Sequence, residues 1–393
     1  MEVIIKDIDH MGRGITKIDN KITFIPKSIK DDVLNIELTN KKKNYNEGKI
    51  INIIKDSPDR IPSKCKYYDI CGGCNISNLS YQKQLEYKKN KVINIFKKYS
   101  NIDINPEIIP SKKEYNYRNK ITFHNGLSLV SIDNKPINID SCLLVSDKIN
   151  NLIKKIKSED TSNIEELTIR EFDNGLVLDI KGNLNIDNIK SNVISIYKNN
   201  KHVFEKEKGY FILNNIKYYV SNDSFFQINT SNIETLYNQV IKLGNFSKQD
   251  KVIDLYCGVG SITLYVSKYV KEILGIEIIE KAIISAKYNA KINNINNATF
   301  KCGSVSTLID NNINADIMIV DPPRTGLDKH TKEVLNKSKI KKIIYVSCDP
   351  LTLARDIKSL NNYKLNDIIL VDMFPQTYHV ESVCLLSHKT VDK

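Results

Sequence analysis

The sequence predicts a multidomain chain: an N-terminal β-barrel over residues 1–56, an α+β central domain over 57–225, and a C-terminal α/β domain with a parallel sheet over 226–393. Three observations predict it. Short β-like runs separated by turns fill the first 56 residues. Ser57-Pro58 and Ile61-Pro62 then break that pattern. From about residue 226 apolar strands alternate with amphipathic helices, the pattern of a parallel sheet wrapped by helices.

The barrel runs are Glu2-Val3-Ile4-Ile5, Ile22-Thr23-Phe24-Ile25 and Val33-Leu34-Asn35-Ile36-Glu37-Leu38, spaced by Met11-Gly12-Arg13-Gly14 and Lys41-Lys42-Lys43-Asn44. Small barrels of this kind serve either to bind single-stranded nucleic acid or to space other domains. Charge leans toward the first use. Lys plus Arg number 58 against 46 for Asp plus Glu, a formal charge of +12, and clustered cations gain affinity by releasing counterions from phosphates. Part of that excess follows from a general Asn, Ile and Lys bias.

A chain of 393 residues has length for two or three domains and a sizeable core. No stretch approaches the roughly 18 apolar residues of a membrane span. The start, MEVIIKDIDHMGRG, has neither a basic segment nor an apolar one, so a cytoplasmic protein is expected. In that reducing compartment the eight cysteines are not expected to pair, and packing, metal or nucleophilic chemistry must account for them.

The middle of the chain carries Cys65-x5-Cys71-Gly72-Gly73-Cys74, a dense thiol array with Cys142 alone further on. Its Cys-x-x-Cys spacing suits zinc and iron–sulfur equally, and a further ligand is required. The Cys-x3-Cys-x2-Cys spacing of radical enzymes is absent.

In the C-terminal domain, Lys251-Val252-Ile253-Asp254-Leu255-Tyr256-Cys257-Gly258-Val259-Gly260 is an apolar strand running into a Gly-x-Gly turn. A second strand ends at Glu277, 23 positions after Asp254, where a carboxylate can accept hydrogen bonds from both ribose hydroxyls of a nucleoside. A dinucleotide fingerprint needs a third glycine, and position 263 is Thr, so NAD is disfavoured. The loop resembles instead the first motif of class I methyltransferases that use S-adenosylmethionine.

Two more strands end at the same rim. One closes on Asp321-Pro322-Pro323-Arg324, where Arg324 replaces the aromatic residue of amine methyltransferases. The other closes on Ser347-Cys348-Asp349-Pro350. A thiol there has a chemical use: carbon 5 of uracil is too weak a nucleophile to take a methyl group until a thiolate adds to carbon 6. A base must then remove the carbon-5 proton, and the segment Phe374 to Val383 offers His379 and Glu381 as equal candidates.

Asp321-Pro322-Pro323-Arg324-Thr325-Gly326, sixteen residues, then Ile343-Ile344-Tyr345-Val346-Ser347-Cys348-Asp349-Pro350-Leu351-Thr352 resembles the signature of the RNA uracil-5 methyltransferases, and His379-Val380-Glu381 resembles their C-terminal motif. The resemblance implies Cys348 as nucleophile and Glu381 as the base, with S-adenosylmethionine contacts at Gln227, Tyr256, Glu277 and Asp321. It implies the iron–sulfur branch of that family, with Cys65, Cys71, Cys74 and Cys142 holding a [4Fe–4S] cluster in the central domain. It makes residues 1–56 an OB-like TRAM barrel and 226–393 a Rossmann-like methyltransferase domain. The expected partner is RNA, 23S rRNA in preference to the tRNA T-loop, with no membrane and no protein partner implied. The competing readings are methylation of cytosine carbon 5 or of an amine, and a non-catalytic metal-bearing RNA-binding protein.

Overall fold

The computed structural model describes residues 1–221, 224–309 and 314–390. At the N-terminus six strands form one sheet in the order Glu2–Ile4, Val33–Lys41, Tyr45–Lys55, Lys21–Ile25, Gly14–Ile18, Asp7–Ile8. Alternation decides which side chains point inward: Leu34 and Ile36, two apart on one strand, join Ile5 and Ile25 in a small apolar core. The fully buried Asp32 accepts from Arg60 Nε at 2.9 Å, which sutures this unit to the chain that follows it.

A second sheet of seven strands takes the order Pro136–Asn138, Ser128–Val130, Lys120–His124, Ile164–Phe172, Gly175–Gly182, Ser195–Lys198, Lys201–Glu205. The helix Asp147–Ile156, capped by the Ser146 hydroxyl, buries Ile149, Leu152, Ile153 and Ile156 against it. These residues recur at helical spacing, and so turn one face to the sheet.

The C-terminal sheet has eight strands in the order Ala298–Cys302, Glu272–Glu277, Lys251–Leu255, Ile317–Val320, Lys342–Ser347, Glu381–His388, Tyr363–Val371, Glu107–Ile109. Its central strands Ile317–Val320 and Lys342–Ser347 read as nearly unbroken apolar runs because both faces are covered. In Ile317–Val320 the first and third side chains enter one core cluster, while Met318 and Val320 enter the cluster on the opposite face. The strand Glu381–His388 inserts antiparallel between Lys342–Ser347 and Tyr363–Val371, pairing Ser382 with Ser347.

The stretch 57–225 serves two layers. Its strand Glu107–Ile109 extends the C-terminal sheet, and its helix Tyr81–Ser100 packs on the helix Pro350–Ser359. The three clustered cysteines lie on the irregular stretch between the barrel and that helix, tied down by isolated bridges such as Cys71 to Ser131. The expected central domain over 57–225 thus has its own seven-stranded sheet and core, while the cysteine stretch itself carries neither helix nor strand and no iron–sulfur centre is shown in it.

The buried face of Tyr81–Ser100 changes character along its length, with Gln84, Lys88 and Lys91 giving way to Val92, Ile95 and Phe96. Lys88 Nζ lies 2.6 Å from Asp372 Oδ1, and neither side chain has any exposure. Burial lowers the Lys88 pKa, and the Asp372 charge opposes that shift. Replacing Lys88 with Met should lower the free energy of unfolding in urea by about 3–5 kcal/mol, because Asp372 is left buried and uncompensated. Adding Asp372→Asn should recover part of that loss, and an undiminished stability in the single variant would show that the pair carries no net weight.

Candidate active site

The parallel strands deliver their C-terminal ends to one rim, where an open α/β sheet has its crevice. After Leu255 the backbone turns sharply: Tyr256 has φ +64°, a left-handed conformation rare for a residue with a bulky side chain. Its hydroxyl reaches toward Asp328 Oδ2 at 3.4 Å. Gly258 follows at φ +54°, and a Cβ built there would meet nothing within 4 Å, so open space lies over the loop. Gly260 serves packing instead; its Cβ would stand 2.9 Å from the Phe300 ring.

Glu277, 9% exposed, closes the neighbouring strand and faces this turn. One of its oxygens accepts from Gly258 N at 3.1 Å and the other from Ile279 N at 2.9 Å. A carboxylate offers about four acceptor sites, so each oxygen retains capacity for a ligand hydroxyl. Asp254 is fully buried, with Oδ2 taking the Thr263 hydroxyl at 2.5 Å and Oδ1 without a hydrogen-bond partner. Burial pushes the Asp254 carboxyl up to about 7, the Thr263 hydrogen bond opposing the shift and Asp321 adding to it. Thr263, which in the sequence stands where a dinucleotide fingerprint has glycine, thus anchors the acid of the first strand.

Gln227, 7% exposed, lies just ahead of the helix Thr230–Gly244. Its carbonyl accepts from Asn119 Nδ2 at 3.0 Å, which straps it to the central sheet. Two residues on, Asn229 Nδ2 donates to Met373 O at 3.0 Å and so ties the same strap to the segment that leads into Glu381.

Cys348 and Glu381 sit at abutting ends of antiparallel neighbours, each adjacent to a member of the Ser347–Ser382 pair. Cys348 is half-buried and Glu381 is 3% exposed. The Ser347 hydroxyl accepts from Asp349 N at 3.2 Å and shapes the turn carrying the thiol. Asp349 Oδ1 accepts from Thr352 N at 2.9 Å and caps the next helix. Burial, then the charges of Glu381 and Asp321, push the Cys348 thiol up to about 12, against the pull of Arg324. Burial and Asp321 push Glu381 up to about 8, with Arg324 again opposing. Burial alone raises Asp321 to about 7. One thiol, two carboxyls and one guanidinium therefore feel each other across a single cleft.

His379 differs from Glu381. Burial and the cations Arg324, Lys91, Lys88 and Arg118 push its imidazole down to about 3, so it stays neutral and weakly basic at physiological pH. The two candidates that the sequence left equal are thereby separated by environment, since an effective general base titrates near the working pH.

The four cysteines expected as cluster ligands line one cavity of about 670 Å3, shared with Arg13, Lys27 and Arg118. Their thiols are not drawn into a compact metal-binding group, and among the described residues no three His, Cys, Asp or Glu side chains stand close enough to hold a metal ion. They do face one another electrostatically. Burial pushes the Cys74 thiol up to about 12, Cys142, Cys71 and Cys65 add to the shift, and Lys27 opposes it. Lys27, from the barrel, donates to the carbonyls of both Cys71 and Cys74. Nothing in the sequence marked Lys27 for this place, because it lies 38 positions before the nearest cysteine.

The profile of the tRNA (uracil-5-)-methyltransferase family matches residues 167–389, and that of the TRAM domain matches residues 1–51. An uncharacterized RNA methyltransferase of Clostridium tetani is 32% identical over 96% of this chain and 94% of its own, and one of Staphylococcus epidermidis is 32% identical over 98% and 96%. The crystal structure of Pyrococcus abyssi tRNA (uracil-54, C5)-methyltransferase in complex with S-adenosyl-L-homocysteine superposes with a TM-score of 0.81 at 26% identity, covering 98% of this chain and all of that one. No helix among the described residues is long and apolar enough to cross a membrane. With the rim geometry described above, these matches show that the chain belongs to the tRNA (uracil-5-)-methyltransferase family and opens with a TRAM domain.

Proposed function

We propose that the protein transfers a methyl group from S-adenosylmethionine to carbon 5 of a uridine in 23S rRNA, with Cys348 as nucleophile and Glu381 as base. The observation that carries this reading is the meeting of Cys348 and Glu381 at the ends of adjacent antiparallel strands, beside Asp321. A second reading, a tRNA uridine, is favoured by the Pyrococcus abyssi likeness, which runs over the barrel, the cysteine stretch and the C-terminal domain alike. The domain arrangement by itself therefore does not separate the two RNAs.

The cofactor site has the required donors. Glu277 retains acceptor capacity for ribose hydroxyls, Gly258 leaves room above the loop, and the unpartnered Asp254 Oδ1 lies in the strand that feeds it. Gln227, Tyr256 and Asp321 complete the proposed contacts. When bound, S-adenosylmethionine supplies an electrophilic methyl group on a sulfonium.

For the target base to reach the rim it must leave its stack, as enzymes that modify a base carbon require. Cys348 gives its thiol proton to solvent water, Sγ forms a bond to carbon 6, and the electrons of the 5,6 double bond pass into the ring as an enolate. Carbon 5 takes the methyl group. Glu381 next accepts the carbon-5 proton, the C–H electrons rebuild the 5,6 double bond, and the sulfur–carbon bond breaks to return the thiolate. A carboxyl at about 8 suits that step, being unprotonated often enough near neutrality and basic enough to take the proton.

Cys65, Cys71, Cys74 and Cys142 are the proposed ligands of a [4Fe–4S] cluster. Support comes from their convergence on one cavity and from the chemistry of the donor set. A cubane cluster binds each thiolate at a different iron, so its ligands stand further apart than those of a single ion. The proposed role is structural, joining the barrel, the central sheet and the catalytic segment at one point.

Cys348→Ala should abolish methylation, by roughly 10⁴-fold or more, while retaining RNA affinity. Glu381→Gln should instead stall with methylated RNA linked to Cys348, visible as an adduct stable to denaturing electrophoresis. Unchanged turnover in Cys348→Ala would overturn the covalent route, and native protein that labels neither RNA would leave only a binding protein.

The single-turnover rate should climb from pH 6 to pH 9. Glu381 acts as base only when unprotonated and its pKa is raised to about 8, while the Cys348 thiol at about 12 also gains reactivity as pH rises. A rate already flat at pH 6 would contradict these environments.

The substrate is decided by mass spectrometry of nucleosides from unmodified large-subunit rRNA and tRNA, each incubated with anaerobically purified protein and labelled S-adenosylmethionine. Label is expected as 5-methyluridine in rRNA, with iron and acid-labile sulfide in the protein. Label confined to tRNA would transfer the same chemistry to the second reading.

A further inference from the structure

Between the strands Tyr363–Val371 and Glu381–His388 the chain passes through Asp372 to Val380 without helix or strand. In the middle stands Gln376, 1% exposed, with φ +70°. A left-handed conformation at a residue other than glycine persists only where the surroundings over-determine it, and such residues gather at functional sites. Here the surroundings are specific. Gln376 N donates to Gln84 Oε1 at 2.8 Å, and Gln84 Nε2 donates back to Gln376 Oε1 at 3.0 Å. On its other side Gln376 O accepts from Asn75 N at 3.0 Å and Ile76 N at 3.2 Å, the two residues directly after Cys74.

The same helix grips the flanks. Gln84, Lys88 and Lys91 lie at the i, i+4, i+7 positions of one helical face. Lys88 Nζ donates to Phe374 O at 2.9 Å, and Lys91 Nζ donates to Tyr378 O. Tyr117 donates its hydroxyl to Pro375 O at 3.0 Å. The loop is thus held at successive carbonyls by side chains that come from about 260 to 290 residues earlier in the chain.

We propose that Gln376, clamped by Gln84, is a positioning residue for Glu381. Its left-handed turn sets how the chain enters the strand that starts at Glu381, and so where that carboxyl stands against Cys348. The inference rests on the reading of Glu381 as base. Cys348 follows a different strand and is shaped by its own Ser347–Asp349 turn, so the clamp acts on the second half of the reaction and not on addition of the thiol.

Two substitutions and their combination test it: Gln84→Ala, Gln376→Ala and the double variant, with native protein and Glu381→Gln beside them. Unmodified rRNA and tRNA together are the acceptor, and S-adenosylmethionine is the donor. The readouts are formation and decay of the RNA–protein adduct, RNA affinity and thermal unfolding. Each single variant is expected to form adduct at the native rate and to resolve it between about 10- and 100-fold more slowly, the scale on which a small misplacement of a reacting group acts. The double variant should be no slower than the worse single one, because both break one clamp. Adduct that resolves at the native rate, or formation and decay falling by the same factor, overturns the proposal. Should Gln84→Ala fail to fold, Gln376→Ala leaves the helix face intact and decides the question. If Glu381→Gln itself accumulates no adduct, the base assignment falls, and the clamp's assignment with it; a stalled Glu381→Gln beside freely resolving clamp variants removes the clamp alone.

Discussion

A lysine with no exposed surface is the constraint around which the C-terminal half is arranged. Lys88 cannot be hydrated, so its charge must be met inside the protein, and Asp372 meets it at 2.6 Å. Asp372 also accepts from the Tyr81 hydroxyl at 3.0 Å and from Phe374 N at 3.1 Å, which leaves little freedom at the point where the chain departs from its strand. The helix that carries Lys88 and the strand that ends beside Asp372 lie nearly three hundred residues apart. Their pairing forces the segment preceding Glu381 to run across the helix face, where Gln84 and Lys91 can reach it.

The rim is the electrostatic counterpart of that scaffold. Parallel strands place Asp254, Glu277 and Asp321 at one end of the sheet, and the antiparallel insertion adds Glu381. So many carboxyls in a partly desolvated cleft cannot all ionise freely, and three of them are held in the neighbourhood of neutral pH, Asp321 by burial alone and Asp254 and Glu381 by burial with the Asp321 charge adding to it. Arg324 is the exposed cation that counters them. The substitution that sets this chain apart from amine methyltransferases in its Asp-Pro-Pro motif is thus also the group that tempers the thiol and the proposed base.

The cysteine stretch extends the same network outward. Lys27 of the barrel holds the carbonyls of Cys71 and Cys74, and the next two backbone N–H groups hold Gln376. Barrel, thiols and the segment leading into Glu381 therefore meet along one run of backbone, which gives the array a mechanical place in the molecule.

The sequence by itself determined the local layer of this protein. Alternation in Val33–Lys41 marked a half-buried strand, unbroken apolar runs such as Ile317–Val320 marked strands buried on both faces, and a Gly-x-Gly turn marked the loop at the rim, since each depends only on neighbours along the chain. The candidacy of Cys348 was legible because a polar turn follows an apolar strand there. What only the tertiary structure decided was long-range: the insertion of Glu381–His388 between earlier strands, the recruitment of Tyr81–Ser100 and Glu107–Ile109 to the C-terminal sheet, and the environments that separate Glu381 from His379. Gln84, Lys88 and Gln376 read as ordinary polar residues in the sequence, and Thr263 only as the absence of a glycine. Their partners are set by packing between segments far apart in the chain, and periodicity along one segment holds no record of which other segment will lie against it.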